Sequence, residues 1–230
     1  MLAPGVVAFA ATAAAAGGAA QAETQAAAPP KAPQPLRVSF KRHNVLSGGL
    51  VPVNGRLLTG ERGRKVLVQA SSGHGWHTVA RTRTRANGVF RTAFRPRDLG
   101  RLQLRVRLVG PPAGIETVAG IGVPIPSAHT ASRRVHGAVT VYRESQASWY
   151  GPGLLGGRTA CGGTLDSSTL GVANRSLPCG TRVTFHYRGH TVTARVIDRG
   201  PFAAGRDWDL TPAVKQRLGF PSTGTVWATA

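Results

Sequence analysis

Three aspartates, Asp198, Asp207 and Asp209, crowd the stretch VIDRGPFAAGRDWDL, Val196 to Leu210. This matters because the 230-residue chain has only 9 Asp and Glu against 29 Lys and Arg. Asp198 closes an apolar, strand-like run and precedes Arg199, Gly200 and Pro201. A carboxyl group in that place has two readings. It orders the turn, as Asp often does, or it works as a general acid, which partial burial favours and an adjacent guanidinium opposes. Asp209 precedes Thr211 and suits the positive end of a helix. Asp207 is expected to be solvated. Asp166 either orders a turn or touches a ligand.

Cys161 and Cys179 are the only cysteines. In an exported chain an even pair this close is most simply a disulfide. The alternatives are a catalytic thiol with a histidine partner, two free thiols or a metal site. His74 and His77, in HGWH, have ligand spacing but no Cys or acid nearby, so no metal is expected.

The elements that must hold these residues are short strands. TRVTFHYRGHTVTARVID reads as two strands around Arg188-Gly189, with Val183, Phe185 and Tyr187 on one face and Val192, Ala194 and Val196 on the partner's. TPAVKQRLG is a short helix, with Thr211 as N-cap, Pro212 in the first turn and Gly219 at the stop. TVWAT is a closing strand. A compact barrel with one helix, residues 147–230, fits this order. Residues 37–124 are all-β, with KVLVQA and LQLRVRLVG at strand length. Asn87-Gly88 predicts a hairpin joining WHTVARTRTRA to VFRTAFRP. An Ig-like β-sandwich is expected there, with a linker at 125–146.

Charge is uneven. Residues 1–144 hold 20 Lys/Arg and 5 acids, a balance of +15, and residues 145–230 hold 9 and 4, a balance of +5. The basic front should seek anionic partners. Arg81, Arg83 and Arg85 alternate along one strand, Arg91 and Arg95 along the next, and Arg101, Arg105 and Arg107 along a third. They read as one basic face, either simply solvated or holding anionic wall polymers. No aromatic residue interleaves with them, which disfavours single-stranded nucleic acid.

The N-terminus reads as a secretory signal, residues 1–22, ending in Ala20-Gln21-Ala22 but lacking a basic start. A low-complexity Ala tract is the alternative. A Pro/Ala linker, 23–36, follows. The composition does not suit a membrane span. The expected mature chain is a secreted, cell-wall-associated monomer that spans no membrane and binds no nucleic acid.

The C-terminal motifs carry a family resemblance. ASWYGPGLLGGRTACGGTLDSSTLGVANRSLPCGTRVTF, then VIDRGPF and GRDWDLT, resembles the double-psi β-barrel of rare-lipoprotein-A-type lytic transglycosylases. Ser148, Trp149, Tyr150 and Gly151 match its opening motif, and Thr159, Ala160 and Gly162 its threonine-alanine-x-glycine turn. Leu177, Pro178, Gly180 and Thr181 match a third motif, Asp198 to Phe202 the most specific one, and Asp209-Leu210 a later pair. The resemblance implies a six-stranded barrel that binds peptidoglycan glycan strands and cuts them without metal or cofactor. Asp198 would be the acid. Trp149, Tyr150, Thr159, Asp166, Arg199, Arg206 and Asp209 would contact glycan. Two departures stand out. The family's second proposed catalytic residue, a glutamate, is Gly163 here, and its usual histidine is Asn174. In a lytic transglycosylase the sugar's own C6 hydroxyl attacks, so one carboxyl can serve as acid and then base. The expected function is therefore single-acid glycan cleavage; the alternative is a non-catalytic, expansin-like wall binder.

Overall fold

The computed structural model describes residues 36–109 and 135–230. The expected signal, all but the last residue of the Pro/Ala linker, and residues 110–134 lie outside the described residues. The described strands fall in one compact unit, and none of the described helices is long and apolar enough to cross a membrane.

The front strands are β1 (Leu36–Phe40), β2 (Asn44–Leu46), β3 (Val51–Leu57), β4 (Lys65–Ser71), β5 (His77–Arg83), β6 (Val89–Phe94) and β7 (Gly100–Val109). A long strand, β8 (Val135–Trp149), follows. β1, β3 and β6 form one antiparallel sheet. β5, β4, β7 and the first half of β8 form the other, with β2 parallel to β8. Alternation builds the core between them: β7 turns Leu102, Leu104 and Val106 inward against Val51, Val53 and Phe90 of the facing sheet. This is the expected sandwich.

Two expectations need correction. Asn87-Gly88 does not close a hairpin. Both residues adopt the left-handed conformation, with φ of 58° and 71°, but β5 pairs with β4 and β6 pairs with β3. The turn carries the chain from one sheet to the other. The linker expected at 125–146 is strand from Val135 onward. Its first half pairs with β7 and β2, and its second half pairs with strands of the barrel. β8 therefore belongs to both halves of the molecule.

The remaining strands are β9 (Gly171–Ala173), β10 (Arg182–Tyr187), β11 (His190–Asp198), β12 (Trp208–Leu210) and β13 (Gly224–Ala228). With β8 they close a six-stranded ring, in the order β8, β12, β9, β11, β10, β13 and back to β8. Val183, Phe185, Val192, Ala194, Val196, Trp208, Leu210 and Val226 fill its interior. The helix α1 (Pro212–Leu218) adds Val214 and Leu218 to that core and ends at Gly219, whose φ is 63°. Thr211 stands at the N-cap position, but its hydroxyl caps nothing: it donates to the Thr169 carbonyl at 2.6 Å.

Candidate active site

Strand register builds the site. Asp198 on β11 lies beside Ala173 on β9, Ala173 beside Asp209 on β12, and Asp209 beside Ser148 on β8. Directly opposed residues project to the same side. Val172, Val196, Leu210 and Ala147 point into the ring, so this row faces outward. A register slip between Val196 and Asp198 brings Asp198 into it, since a bulge re-aims the residues that follow. Two strand spacings, roughly 10 Å, separate the backbones of the two aspartates.

Tyr150 follows β8 and lies buried with Leu165 and Ile197 over Ala173. Its hydroxyl donates to Asp198 Oδ2 at 2.8 Å. The Ala160 N–H at 2.7 Å and the Arg199 N–H at 2.8 Å donate to Oδ1. Burial first, then the hydrogen bond to Asp198 and the charges of Asp198 and Asp209, push the Tyr150 phenol far above its ordinary value of 10. It remains a donor at any working pH. Asp209 accepts a short hydrogen bond from the Ser148 hydroxyl.

Two loops clamp the end of β11. Cys161 and Cys179 form a disulfide with Cα atoms 5.6 Å apart, as the even pair suggested. The Cys161 N–H donates to the Ile197 carbonyl at 3.1 Å, and the Gly180 N–H to the Val196 carbonyl at 2.7 Å. Arg199 turns away from the Asp198 carboxylate. Its Nη1 donates to the carbonyls of Leu177 at 3.0 Å and Asn174 at 3.3 Å, and its Nη2 meets Cys179 Sγ at 3.1 Å. The guanidinium braces the 174–179 loop.

The other expected site residues separate. Buried Thr159 donates through its hydroxyl to the Gly162 carbonyl at 2.7 Å. Gly163 has φ of 89° and open space where a Cβ would stand. Asp166 is exposed and accepts four hydrogen bonds from the amides and hydroxyls of Ser168 and Thr169. These bonds lower its pKa from 3.8 to about 2. Asp207 is not merely solvated, because its Oδ2 accepts the Gln146 N–H at 2.8 Å and extends the β8–β12 pairing. Trp149 is half-buried against the ring's core, with Lys215 Nζ 4.6 Å from its ring centre. Arg206 pairs with no acid among the described residues. Asn174, where the family has histidine, accepts the Leu177 N–H at 2.9 Å and orders the loop that carries Cys179. Phe202, which the motif match included without a site role, is 83% exposed four residues beyond Asp198.

The front arginines do not share one face. Arg81 and Arg107 flank Leu67, Arg83 faces Lys65, and Arg105 faces Gln69, all on the outer side of the β5-β4-β7-β8 sheet. Arg101 lies further along β7, opposite Thr140. Arg91 faces Asn54 on the opposite sheet. Arg85 and Arg95 lie just beyond strand ends. One aromatic residue does join them: the Arg105 guanidinium stacks 4.2 Å above the Trp76 ring. His74 and His77 are both exposed, and no cluster of three metal-ligating side chains occurs among the described residues.

The six-stranded ring, with its parallel β8–β12 and β9–β11 pairs, fits a double-psi barrel. Residues 143–229 match the family model described as lytic transglycolase. The relatives include the probable endolytic peptidoglycan transglycosylase RlpA of Synechocystis sp., 46% identical over 34% of this chain and 25% of that protein. The endolytic peptidoglycan transglycosylase RlpA of Campylobacter jejuni is 40% identical over 34% of this chain and 30% of its own length. The Nostoc sp. relative is 32% identical over 51% of this chain and 34% of its own length. The C-terminal part is thus RlpA-like, and the matches span only a quarter to a third of these relatives' lengths. Among solved structures, the Streptomyces papain inhibitor aligns with a TM-score of 0.32 at 22% identity, over 38% of this chain and 92% of its own.

Proposed function

We propose that the protein is a secreted, wall-associated peptidoglycan-remodelling enzyme whose barrel cuts glycan strands as a lytic transglycosylase, with Asp198 as its acid and base. Asp198 gives its proton to the bridging glycosidic oxygen as the bond from that oxygen to C1 breaks. The C6 hydroxyl of the same sugar then attacks C1 and returns a proton to the carboxylate. No second carboxyl is required, which accommodates Gly163. The observation that carries the reading is the clamp on Asp198: one phenol and two backbone N–H groups fix an outward carboxyl at a strand end. Such positioning is the first requirement of general acid catalysis.

The test is incubation of the purified protein with isolated peptidoglycan, reading soluble anhydro-muropeptides by mass spectrometry. Release by the wild type and loss of about 10²–10⁴-fold in Asp198→Asn is the expected result. Release that survives Asp198→Asn moves the acid elsewhere.

A second reading, an expansin-like binder, is favoured by Gly163. Its φ of 89° is glycine territory, so the loop is built around glycine rather than around a lost glutamate. Cosedimentation with peptidoglycan and no release would select this reading. In either case exposed Arg81 and Arg83, with half-buried Arg105 and Arg107 beside them, are proposed to add salt-sensitive affinity for anionic wall polymers, because clustered charges at a surface act together and are screened by salt.

A further inference from the structure

The ring has a second outward row, on the wall opposite Asp198. Register places Glu144 on β8 beside Trp227 on β13, Trp227 beside His186 on β10, and His186 beside Thr191 on β11. Their strand neighbours Val226, Phe185 and Val192 point into the core, so this row faces out. The Asp198 row runs through β11, β9, β12 and β8; this one runs through β8, β13, β10 and β11. The two therefore use different halves of the ring.

The row borders a hollow of about 410 Å³ lined by Glu144, His186, Tyr187, Arg188, Thr225 and Trp227. Its aromatic wall is fixed in place. Buried Tyr142 lies 6.1 Å from the Trp227 ring and 5.7 Å from His186, and those two rings lie 5.4 Å apart. The Tyr142 hydroxyl is itself anchored on Asn44 Oδ1 at 3.0 Å. Trp227 is half-exposed and stands outside the barrel's core cluster. No hydrogen bond from its indole N–H or to Glu144 occurs among the described residues. Glu144 is thereby unlike Asp166, Asp198, Asp207 and Asp209, each of which accepts at least one hydrogen bond from the protein. The hollow pairs one carboxylate with one guanidinium, so it suits a neutral ligand in an otherwise basic molecule.

A fixed aromatic plane, a free carboxylate, a free indole N–H and a threonine hydroxyl together match a sugar ring. The apolar C–H face of a pyranose covers an aromatic face, and its hydroxyls satisfy the polar rim. We propose that this hollow is an accessory glycan site, which holds a pyranose of a β-1,4-linked amino-sugar chain against Trp227 with Glu144 accepting from its hydroxyls. The choice of glycan rests on the proposed function. The location does not, and a chain held here is held away from Asp198.

The test is a nitrogen–proton NMR titration of the full chain with the soluble β-1,4-linked tetramer of N-acetylglucosamine. The expected result is a saturable shift of the Trp227 indole signal and of the Thr225 and Arg188 amides. Trp227→Ala should weaken that binding about tenfold or more, the loss of one good aromatic stack. Glu144→Gln, an exposed change that keeps the shape, should weaken it severalfold with the spectrum otherwise intact. Shifts confined to Ala160 and Arg199, beside Asp198, would overturn this site and leave the cutting reading standing. Shifts at Trp227 alone would uphold this site and count against glycan binding at Asp198. No shift at either place overturns both.

Discussion

Tyr150 and Asp198 are the pair on which the candidate site turns. The phenol cannot ionise in the working range, so its only service to the carboxylate is to donate a hydrogen bond from a buried, fixed position. Tyr150→Phe keeps the packing over Ala173 and removes that donor. A hydrogen bond to a charged group contributes about 1.5–3 kcal/mol, so chemical denaturation should show a loss within that range or below it. Glycan cutting should fall about tenfold, far less than in Asp198→Asn. Equal loss in the two variants would make Tyr150 part of the chemistry rather than its support. Asp166 is a contrasting residue, engaged entirely with its own turn. Its pKa in the fold is lowered from 3.8 to about 2 by Ser168 and Thr169. The turn therefore gains full benefit from the charge above pH 3.8 and loses it as pH falls through about 2. The Ser168 and Thr169 amide signals should follow that lower midpoint in an NMR pH titration. A midpoint near 3.8 would mean that the four hydrogen bonds are not held in solution.

The loops around β11 are where local sequence shaped the site most plainly. Arg158 bridges Thr164, and Gly162 and Gly163 turn the loop between them with φ of 88° and 89°. Gly163→Glu would meet no atom at its Cβ but would force an L-residue into that conformation, at a cost of about 1–2 kcal/mol. The expected outcome is a lower melting temperature and no gain in glycan release. A gain would show that the loop accepts the family's second carboxylate after all. Much of this region was legible because its signals are local. The alternation of Val183 and Phe185 against Val192, Ala194 and Val196 fixed the β10–β11 hairpin, and the two cysteines fixed the clasp. Asn87-Gly88 was legible as a turn and misleading as a hairpin. Its left-handed conformation is a local property, whereas the partners of β5 and β6 are chosen by packing between sheets. The Tyr150–Asp198 bond joins residues 48 apart, and spacing alone carried no sign of it. The second outward row was invisible for the same reason, since Glu144, His186 and Trp227 meet only once the ring closes.

At the scale of the molecule, β8 puts a strand shared by sandwich and barrel where a linker was expected, from Val135 onward. Val139 and Val141 lie in the sandwich core, and Ala147, six residues further on, lies in the barrel core. Between them, fully buried Tyr142 bonds to Asn44 in the front and packs against His186 and Trp227 in the barrel. Periodicity could not reveal this, because Val139, Val141, Ser145 and Ala147 keep one inward alternation interrupted only by exposed Arg143, and alternation alone does not say which sheet each half of a strand joins. The coupling has a thermodynamic consequence. If either core melts, half of β8 loses its ladder partners, and Tyr142 loses one of its two settings. The cores should therefore unfold together, and calorimetry of the full chain should show one transition whose calorimetric and van't Hoff enthalpies agree. Inserting Gly-Ser-Gly between Tyr142 and Arg143 leaves both cores their own residues but breaks the shared strand. That variant should show two transitions, with the less stable half melting below the wild-type temperature. Two transitions already present in the wild type would mean that the halves are stable separately and that β8 merely passes between them.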